Sequence, residues 1–311
     1  MTAATPTFEQ PTTERPRRRV LITGANRGIG LSTARELVRT GCAVVLTSRD
    51  EARGLAAAAD LRADTPGADV DVRSLDLASF WSIRKLAADL LKGPPIDVLV
   101  HNAGVVIPSP ERKMTEDGVE ECLQVHTVGP MLLTSHLAPR LARPCRIVLV
   151  GSGLHAPGTH GREVHFDFDD PFLDRHYHPD RAYKNAKLAQ LWFAFEWERR
   201  FGARGLHADV VCPGFVPLTA AASSHGLQRL LLEHVYPWLP FATTLEKAAH
   251  IEAEWALHDP GSPGGRYFDA HTIAQASADA RDPEKAAAFW KLAETWIGEP
   301  LTAHPPTGLH D

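Results

Sequence analysis

The chain has 311 residues, 44% of them apolar, and a formal net charge of -5 at pH 7. Its length and apolar content suit one large globular α/β unit, and the mild acidity gives nucleic acid or an anionic membrane no electrostatic reason to bind. Four cysteines, Cys42, Cys122, Cys145 and Cys212, lie far apart in apolar settings, so buried free thiols in a reducing compartment are expected, not disulfides or a metal site.

Residues 1–17 carry Pro, Thr and Glu and run into the basic cluster Arg17-Arg18-Arg19 without an apolar core. They are expected to be a disordered tail, not a signal peptide. No later run is apolar for long enough to span a bilayer, which predicts a soluble, cytoplasmic protein.

From Val20 the pattern alternates strand and helix. Strands are expected at Val20–Thr23, Ala43–Thr47, Val70–Leu75, Asp97–His101, Arg146–Val150 and His207–Val211, with a short last strand near Arg266–Phe268. Helices are expected at Ile29–Thr40, Glu51–Ala63, Ser79–Leu91, around Gly118–Leu141, at Arg181–Phe201 and at Ala286–Gly298. Strands separated by helices in this order pair in parallel through right-handed crossovers. The fold class is therefore α/β, a doubly wound parallel sheet with helices on both faces, in a single domain spanning 18–298. Ligands of such sheets bind beyond the carboxyl ends of the strands.

The first strand ends in Thr23-Gly24-Ala25-Asn26-Arg27-Gly28-Ile29-Gly30. A glycine-rich turn that opens a helix lets the backbone approach a pyrophosphate closely and meets it with unpaired N–H groups. Alone, such a turn is weak support for a dinucleotide site. After the second strand stands Ser48-Arg49-Asp50. Two guanidinium groups, Arg27 and Arg49, converging there suit a ribose 2′-phosphate and favour NADP; Asp50 as a ribose acid is the competing choice.

Asp76-Leu77 follows the third strand, Asn102-Ala103-Gly104 the fourth, and Gly151-Ser152 the fifth. Tyr183 and Lys187 lie four residues apart on one helix face, where a lysine charge would lower a phenol's pKa. With these motifs the chain resembles the short-chain dehydrogenase/reductase family over roughly residues 18–298. It is most similar to the retinol dehydrogenase and WW-domain oxidoreductase-like branch. Thr115-Glu116-Asp117-Gly118, His126-Thr127-Val128-Gly129, Ser152-Gly153-Leu154-His155, Pro213-Gly214 and Gly264-Gly265-Arg266-Tyr267-Phe268 add to the likeness, as does the aromatic helix near the C-terminus. The resemblance implies a Rossmann fold and hydride transfer between NADP(H) and a carbonyl or secondary alcohol. It implies Tyr183 as acid/base, Lys187 holding the nicotinamide ribose, and Ser152 binding the reacting oxygen. Asp76 and Leu77 would contact adenine, Asn102, Ala103 and Gly104 would lie along the cofactor, and Pro213, Gly214 and Val216 would also bind it. Two other classes share these features: a non-redox dehydratase or epimerase, and a silent NADP sensor.

One position departs from the pattern, because His126 stands where the family has a catalytic asparagine. Pro130, four residues on, lacks the N–H that would bond the His126 carbonyl, so a kinked helix is expected there. A backbone role for that carbonyl and a titrating role for the imidazole are both open. Between Ser152 and Tyr183, a segment with His160, His165, Asp167, Asp169, Asp170, His176 and His178 has no zinc-site spacing and suits a wall of the substrate mouth. Residues 215–243 hold Leu230, Leu231, Leu232, Val235, Tyr236 and Trp238. By resemblance they form a lid, whose apolar content selects a bulky hydrophobic substrate. Phe193 and Trp197 make a second greasy face on the Tyr183 helix. A homodimer through this helix is expected to cover it, with the histidine-rich segment or the lid as the alternative within one chain. Residues 299–311 are expected to be a loose tail.

Overall fold

The computed structural model describes residues 17–303 except 106–107, 157–163, 165, 219–225 and 240–241. His160 and His165 of the histidine-rich segment, part of the lid, and almost all of the N-terminal tail lie outside the described residues. The first half of the fold runs β1 (Arg19–Ile22), α1 (Gly28–Arg39), β2 (Ala43–Ser48), α2 (Glu51–Asp64), β3 (Val70–Ser74), α3 (Phe80–Leu90) and β4 (Ile96–His101). A short α4 (Glu121–Leu123), a π-helical turn (Gln124–Val128) and α5 (Gly129–Leu137) lead to β5 (Leu141–Val150) and α6 (Pro179–Phe201). Then come β6 (Leu206–Cys212), α7 (Gly226–His234), α8 (Leu245–Leu257), β7 (Tyr267–Asp269), β8 (Thr272–Ala274) and α9 (Pro283–Ile297).

The strands form one eight-stranded sheet in the order β3-β2-β1-β4-β5-β6-β7-β8. Every pairing is parallel except that of β7 with β8. The central strands carry apolar runs, with Val20, Leu21, Ile22, Leu99 and Val100 fully buried, as helices on both faces require. The switch of strand order between β1 and β4 opens the crevice where such sheets bind ligands. Side chains of Asp50, Ser79, Thr244 and Asp282 cap the starts of α2, α3, α8 and α9, each stabilising its helix by about 1 kcal/mol.

The expected single helix over 118–141 is corrected. Gly129 N–H bonds the Gln124 carbonyl across a π turn, and Pro130 lies in the first turn of α5. The proline's missing N–H is thus met by rewinding the chain one residue wider. Helix α8 is absent from the sequence expectation because it follows directly on the apolar lid, whose hydrophobic run masks its periodicity. The four cysteines are free and buried.

Two further expectations are corrected. The second aromatic face of α6 is covered within the chain, Trp197 by α9 and Phe193 by His101 of β4 at 6.3 Å, so these two aromatics do not by themselves require a second copy. Phe193 and Trp197 are fully buried, Trp197 lies 6.2 Å from Trp290, and Trp192 lies 5.7 Å from Phe289. Residues 299–303 are not loose. Leu301 N–H donates to Glu294 Oε1 at 2.9 Å, Thr302 N–H donates to Ser135 Oγ at 2.9 Å, and Glu299 pairs with Arg84 at 2.8 Å.

Helix α8 packs on α1 with a carboxyl group between them. Glu252 is fully buried, its Oε2 accepts from Thr33 Oγ1 at 3.0 Å, and its Oε1 has no partner. Burial pushes its pKa up to about 8, opposed by the Thr33 bond and by the Lys187 charge. The folded state therefore keeps a proton that the unfolded chain releases near its ordinary carboxylate pKa. Stability from this group is present in acid and is lost as pH rises towards and through about 8. Glu252→Gln is expected to flatten that decline, making the variant the more stable protein at pH 8.5. Denaturation midpoints from pH 5 to 9 would check it, and parallel curves for the two proteins would refute it.

Candidate active site

Parallel pairing aligns the carboxyl ends of β1, β2, β4, β5 and β6 along one edge, and the predicted site residues fall there. After β1, Gly24 and Gly28 adopt φ of 66° and 59°, in the left-handed region that side chains disfavour. Arg27 caps α1 without a side-chain bond to the first turn. That turn can therefore present its N–H groups, with the helix dipole, to an anion. Asn26 and Ile29 complete the turn, both partly exposed.

The end of β4 holds this turn in place. Asn102 Nδ2 donates to the carbonyls of Thr23 at 2.8 Å and Gly24 at 3.3 Å, and Ala103 N–H donates to Thr23 Oγ1 at 3.0 Å. A Cβ on Gly30 would lie 2.3 Å from Asn102 Nδ2, and one on Gly24 would lie 2.9 Å from Ala103 Cβ. The glycine spacing is thus set by the neighbouring strand as well as by close approach of a ligand.

Arg27 and Arg49 are both exposed, and neither guanidinium has a hydrogen bond or ion pair among the described residues. Asp50 is occupied: its carboxylate accepts from Arg53 N–H at 3.1 Å as the cap of α2 and pairs with the Arg53 side chain at 3.1 Å. After β3, Asp76 Oδ1 accepts from Ala78 N–H at 3.0 Å. Asp76 edges a hollow of about 410 Å³ with Ser79, Lys113 and Thr115, while the Leu77 side chain is buried in the core.

Ser152, Tyr183 and Lys187 come together at the ends of β5 and α6. The Ser152 hydroxyl lies against the Tyr183 phenol and acts to lower its pKa, while its Oγ accepts from Leu154 N–H at 3.2 Å. Lys187 is buried, with Nζ donating to the Val150 carbonyl at 2.7 Å and to Gln190 Oε1 at 3.2 Å and lying 5.6 Å from the Tyr183 ring centre. Burial pulls the Lys187 pKa down to about 8. Burial pushes the Tyr183 phenol up, and the Cys122 and Cys212 thiols add to this against the Ser152 hydroxyl. Desolvation outweighs any lowering of the phenol by Lys187, whose ammonium bonds the Val150 carbonyl.

His126 lies against this group, its ring edge-on to Tyr183 at 5.5 Å. It is buried, and its Nε2 meets Val105 N–H at 3.0 Å and the Val105 carbonyl at 3.1 Å, while Nδ1 has no partner. Burial, helped by Lys187, holds its pKa well below the ordinary imidazole value. The side chain is thus a neutral packing group at physiological pH. After β6, Pro213 leads to Gly214 at φ 93°. Phe215 pairs with Ala242, and Thr243 N–H donates to the Phe215 carbonyl at 2.7 Å, so the two ends of the lid segment meet. Val216 is buried beside them.

Several contributors carry no sequence signal of their own. Gln190 positions Lys187, and Thr127 Oγ1 donates to the Ala186 carbonyl at 2.9 Å, tying α6 to the π turn. His155 Nδ1 donates to the Ser152 carbonyl at 2.7 Å, and its Nε2 accepts from Ser277 N–H at 3.3 Å, which pins the serine loop. Among the described residues no cluster of three metal-ligating side chains exists, and no helix is long and apolar enough to cross a membrane.

Gly104 is where the two halves of the site touch, since a Cβ there would lie 2.4 Å from His126 Cε1. Gly104→Ala is expected to destabilise the fold by about 1–3 kcal/mol through overpacking. In a His126→Ala background that cost should largely vanish. Chemical denaturation of the four proteins of this cycle measures the coupling, and an equal cost in both backgrounds would show that the clash is not with the imidazole.

Comparison with known proteins agrees with this geometry. The profile of the short chain dehydrogenase family matches residues 18–162. Polyprenol dehydrogenase of Mus musculus is 35% identical over 284 residues, covering 88% of this chain and 82% of that protein. Retinol dehydrogenase 13 of Homo sapiens is 34% identical over 292 residues, covering 91% and 85%. The crystal structure of an uncharacterised protein from Mycobacterium paratuberculosis superposes with a TM-score of 0.72 at 31% identity, covering 91% of this chain and 94% of that one. The chain belongs to the short-chain dehydrogenase/reductase family, in its retinol dehydrogenase branch, and is an oxidoreductase of the CH–OH/C=O class.

Proposed function

We propose that the protein is an NADP(H)-dependent reductase of ketones or aldehydes on bulky, hydrophobic small molecules. The observation that carries the reaction type is the grouping of Ser152, the Tyr183 phenol and buried Lys187 on the same sheet edge as the glycine turn. Cofactor choice rests on Arg27 and Arg49, two exposed guanidiniums without partners, next to an Asp50 already spent on capping α2. A 2′-phosphate suits them better than a bare ribose. The hydrophobic substrate is supported by exposed Leu218, Leu230, Val235 and Trp238 in the lid segment and by relatives named for retinol and polyprenol. A cytoplasmic location belongs to the same proposal, supported by the four free thiols.

The uncapped first turn of α1 and the two left-handed glycines fit a pyrophosphate. Asp76, beside its hollow, would receive the adenine end, and Pro213, Gly214 and Val216 the nicotinamide end. NADPH when bound supplies the hydride. Ser152 Oγ holds the substrate oxygen within reach of Tyr183. The raised phenol pKa keeps Tyr183 protonated at neutral pH, the form that can donate as negative charge gathers on that oxygen. Lys187, cationic below about pH 8, then favours the phenolate left behind. The proton-loaded state of this pair is the one that serves reduction.

Two outcomes test the proposal. Arg49→Ala should weaken NADPH binding about tenfold or more and leave NADH binding little changed, since a charged hydrogen bond to phosphate is worth about 1.5–3 kcal/mol. Equal affinity of the parent protein for both cofactors by fluorescence titration would sink the NADP assignment. Tyr183→Phe should abolish nicotinamide-linked turnover across a panel of hydrophobic ketones and aldehydes while NADPH still binds; a variant that keeps most of its kcat would remove Tyr183 as the proton donor.

A further inference from the structure

A second hollow lies at the start of α6, away from the hydride-transfer edge. It has a volume of about 270 Å³ and is lined by Val164, His176, Asp180, Arg181, Lys184 and Asn185, with His178 at its rim. Asn185 follows Tyr183 by two residues, so it projects about 200° around the helix from the phenol. The hollow and the Ser152–Tyr183 pair therefore lie on opposite sides of α6. Nothing in the reaction uses these residues.

Asn185 marks the hollow as a binding site. It is only 3% exposed, yet neither Oδ1 nor Nδ2 of its amide has a hydrogen-bond partner. A buried amide with both ends unmet costs stability, and such groups are rare unless a ligand or water meets them. Arg181 lies one turn earlier on the same face, and its guanidinium makes no hydrogen bond or ion pair among the described residues. Lys184 and Asp180 pair at 3.0 Å and cancel each other. The lining therefore carries one net positive charge with the imidazoles neutral. The N-terminal end of the 23-residue α6 adds its dipole in the same sense.

We propose that this hollow binds inorganic phosphate. Arg181 and the amide N–H of Asn185 would donate to its oxygens. The amide oxygen needs a donor in return, which a protonated phosphate supplies and a carboxylate or sulfate lacks. Whichever way the amide is turned, it offers one donor and one acceptor, so the ligand must offer both.

The test is calorimetric titration of the full-length protein with inorganic phosphate at constant ionic strength and without nucleotide. Saturable one-to-one binding is expected, weakened at least about tenfold in both Arg181→Gln and Asn185→Leu. Asn185→Leu should also raise the thermal midpoint in phosphate-free buffer, because it removes the unmet amide; loss of fold would lower it. Phosphate can also reach the glycine turn and its arginines, so an Arg27→Ala/Arg49→Ala protein must keep its phosphate affinity. Methyl phosphate, mostly a dianion without a P–OH at neutral pH, should bind more weakly than inorganic phosphate, and equal binding would overturn the need for a ligand donor. Absence of saturable binding, loss of binding only in the Arg27/Arg49 protein, or sulfate binding as tight as phosphate would overturn the proposal.

Discussion

The contact on which the site depends is the clamp of the β4 end on the glycine turn. Asn102 donates to two carbonyls of that turn, and Ala103 takes up the Thr23 hydroxyl. Beyond them Gly104 leaves room for His126, whose ring edge meets Tyr183. An unbroken line of contacts thus runs from the pyrophosphate turn to the phenol. Backbone groups inside this line are bonded to protein, so the distance between the turn and Tyr183 is set before any ligand arrives. That is the preorganisation hydride transfer demands, because misplacement of the donor costs rate steeply.

The same line explains how buried charge is managed. Lys187, Glu252, His126 and His101 are all buried, and each has its pKa displaced towards its neutral form. Desolvation is the leading cause in every case. The charge that is kept in the interior, Arg146 with Asp209, is met by Arg266 and by the carbonyls of Asp259 and Ser262. These bonds, which leave Arg146 Nε unmet, offset much of the cost of burying the pair.

Much of this was legible in the sequence because the signals were local. The strand–helix alternation and the residue just after each strand depend on periodicity and turn chemistry, and the structure shifts most of these boundaries by only a residue or two. What escaped was set by distant contacts. Nothing near Phe193 and Trp197 says that His101 of β4 will meet the first and Trp290 of α9 the second. Glu252 reads as an ordinary charged helix residue until Thr33 is seen against it. Residues 299–303 looked like a polar tail because their anchors, Arg84, Ser135 and Glu294, lie on other elements. Tyr183 and Lys187 were visible as a pair, but the direction of the phenol shift depends on desolvation, which spacing cannot report.

The His126 substitution shows how a changed residue can keep a site's geometry. An imidazole is larger than the amide it replaces, and the π turn and Gly104 are the two places where the chain has room to yield. The wider π turn shifts α5 relative to α4, while the absence of a Cβ at 104 admits the ring edge. The ring's Nε2 is engaged by the Val105 backbone, and its Nδ1 faces no acceptor. Proton transfer through an imidazole needs a donor on one nitrogen and an acceptor on the other, with a pKa near the working pH. With Nε2 held by the Val105 backbone and burial favouring the neutral ring, the geometry favours packing against Tyr183 over proton transfer. A contribution from this position to the reaction then falls to its backbone, which the π turn and Pro130 shape independently of the side chain.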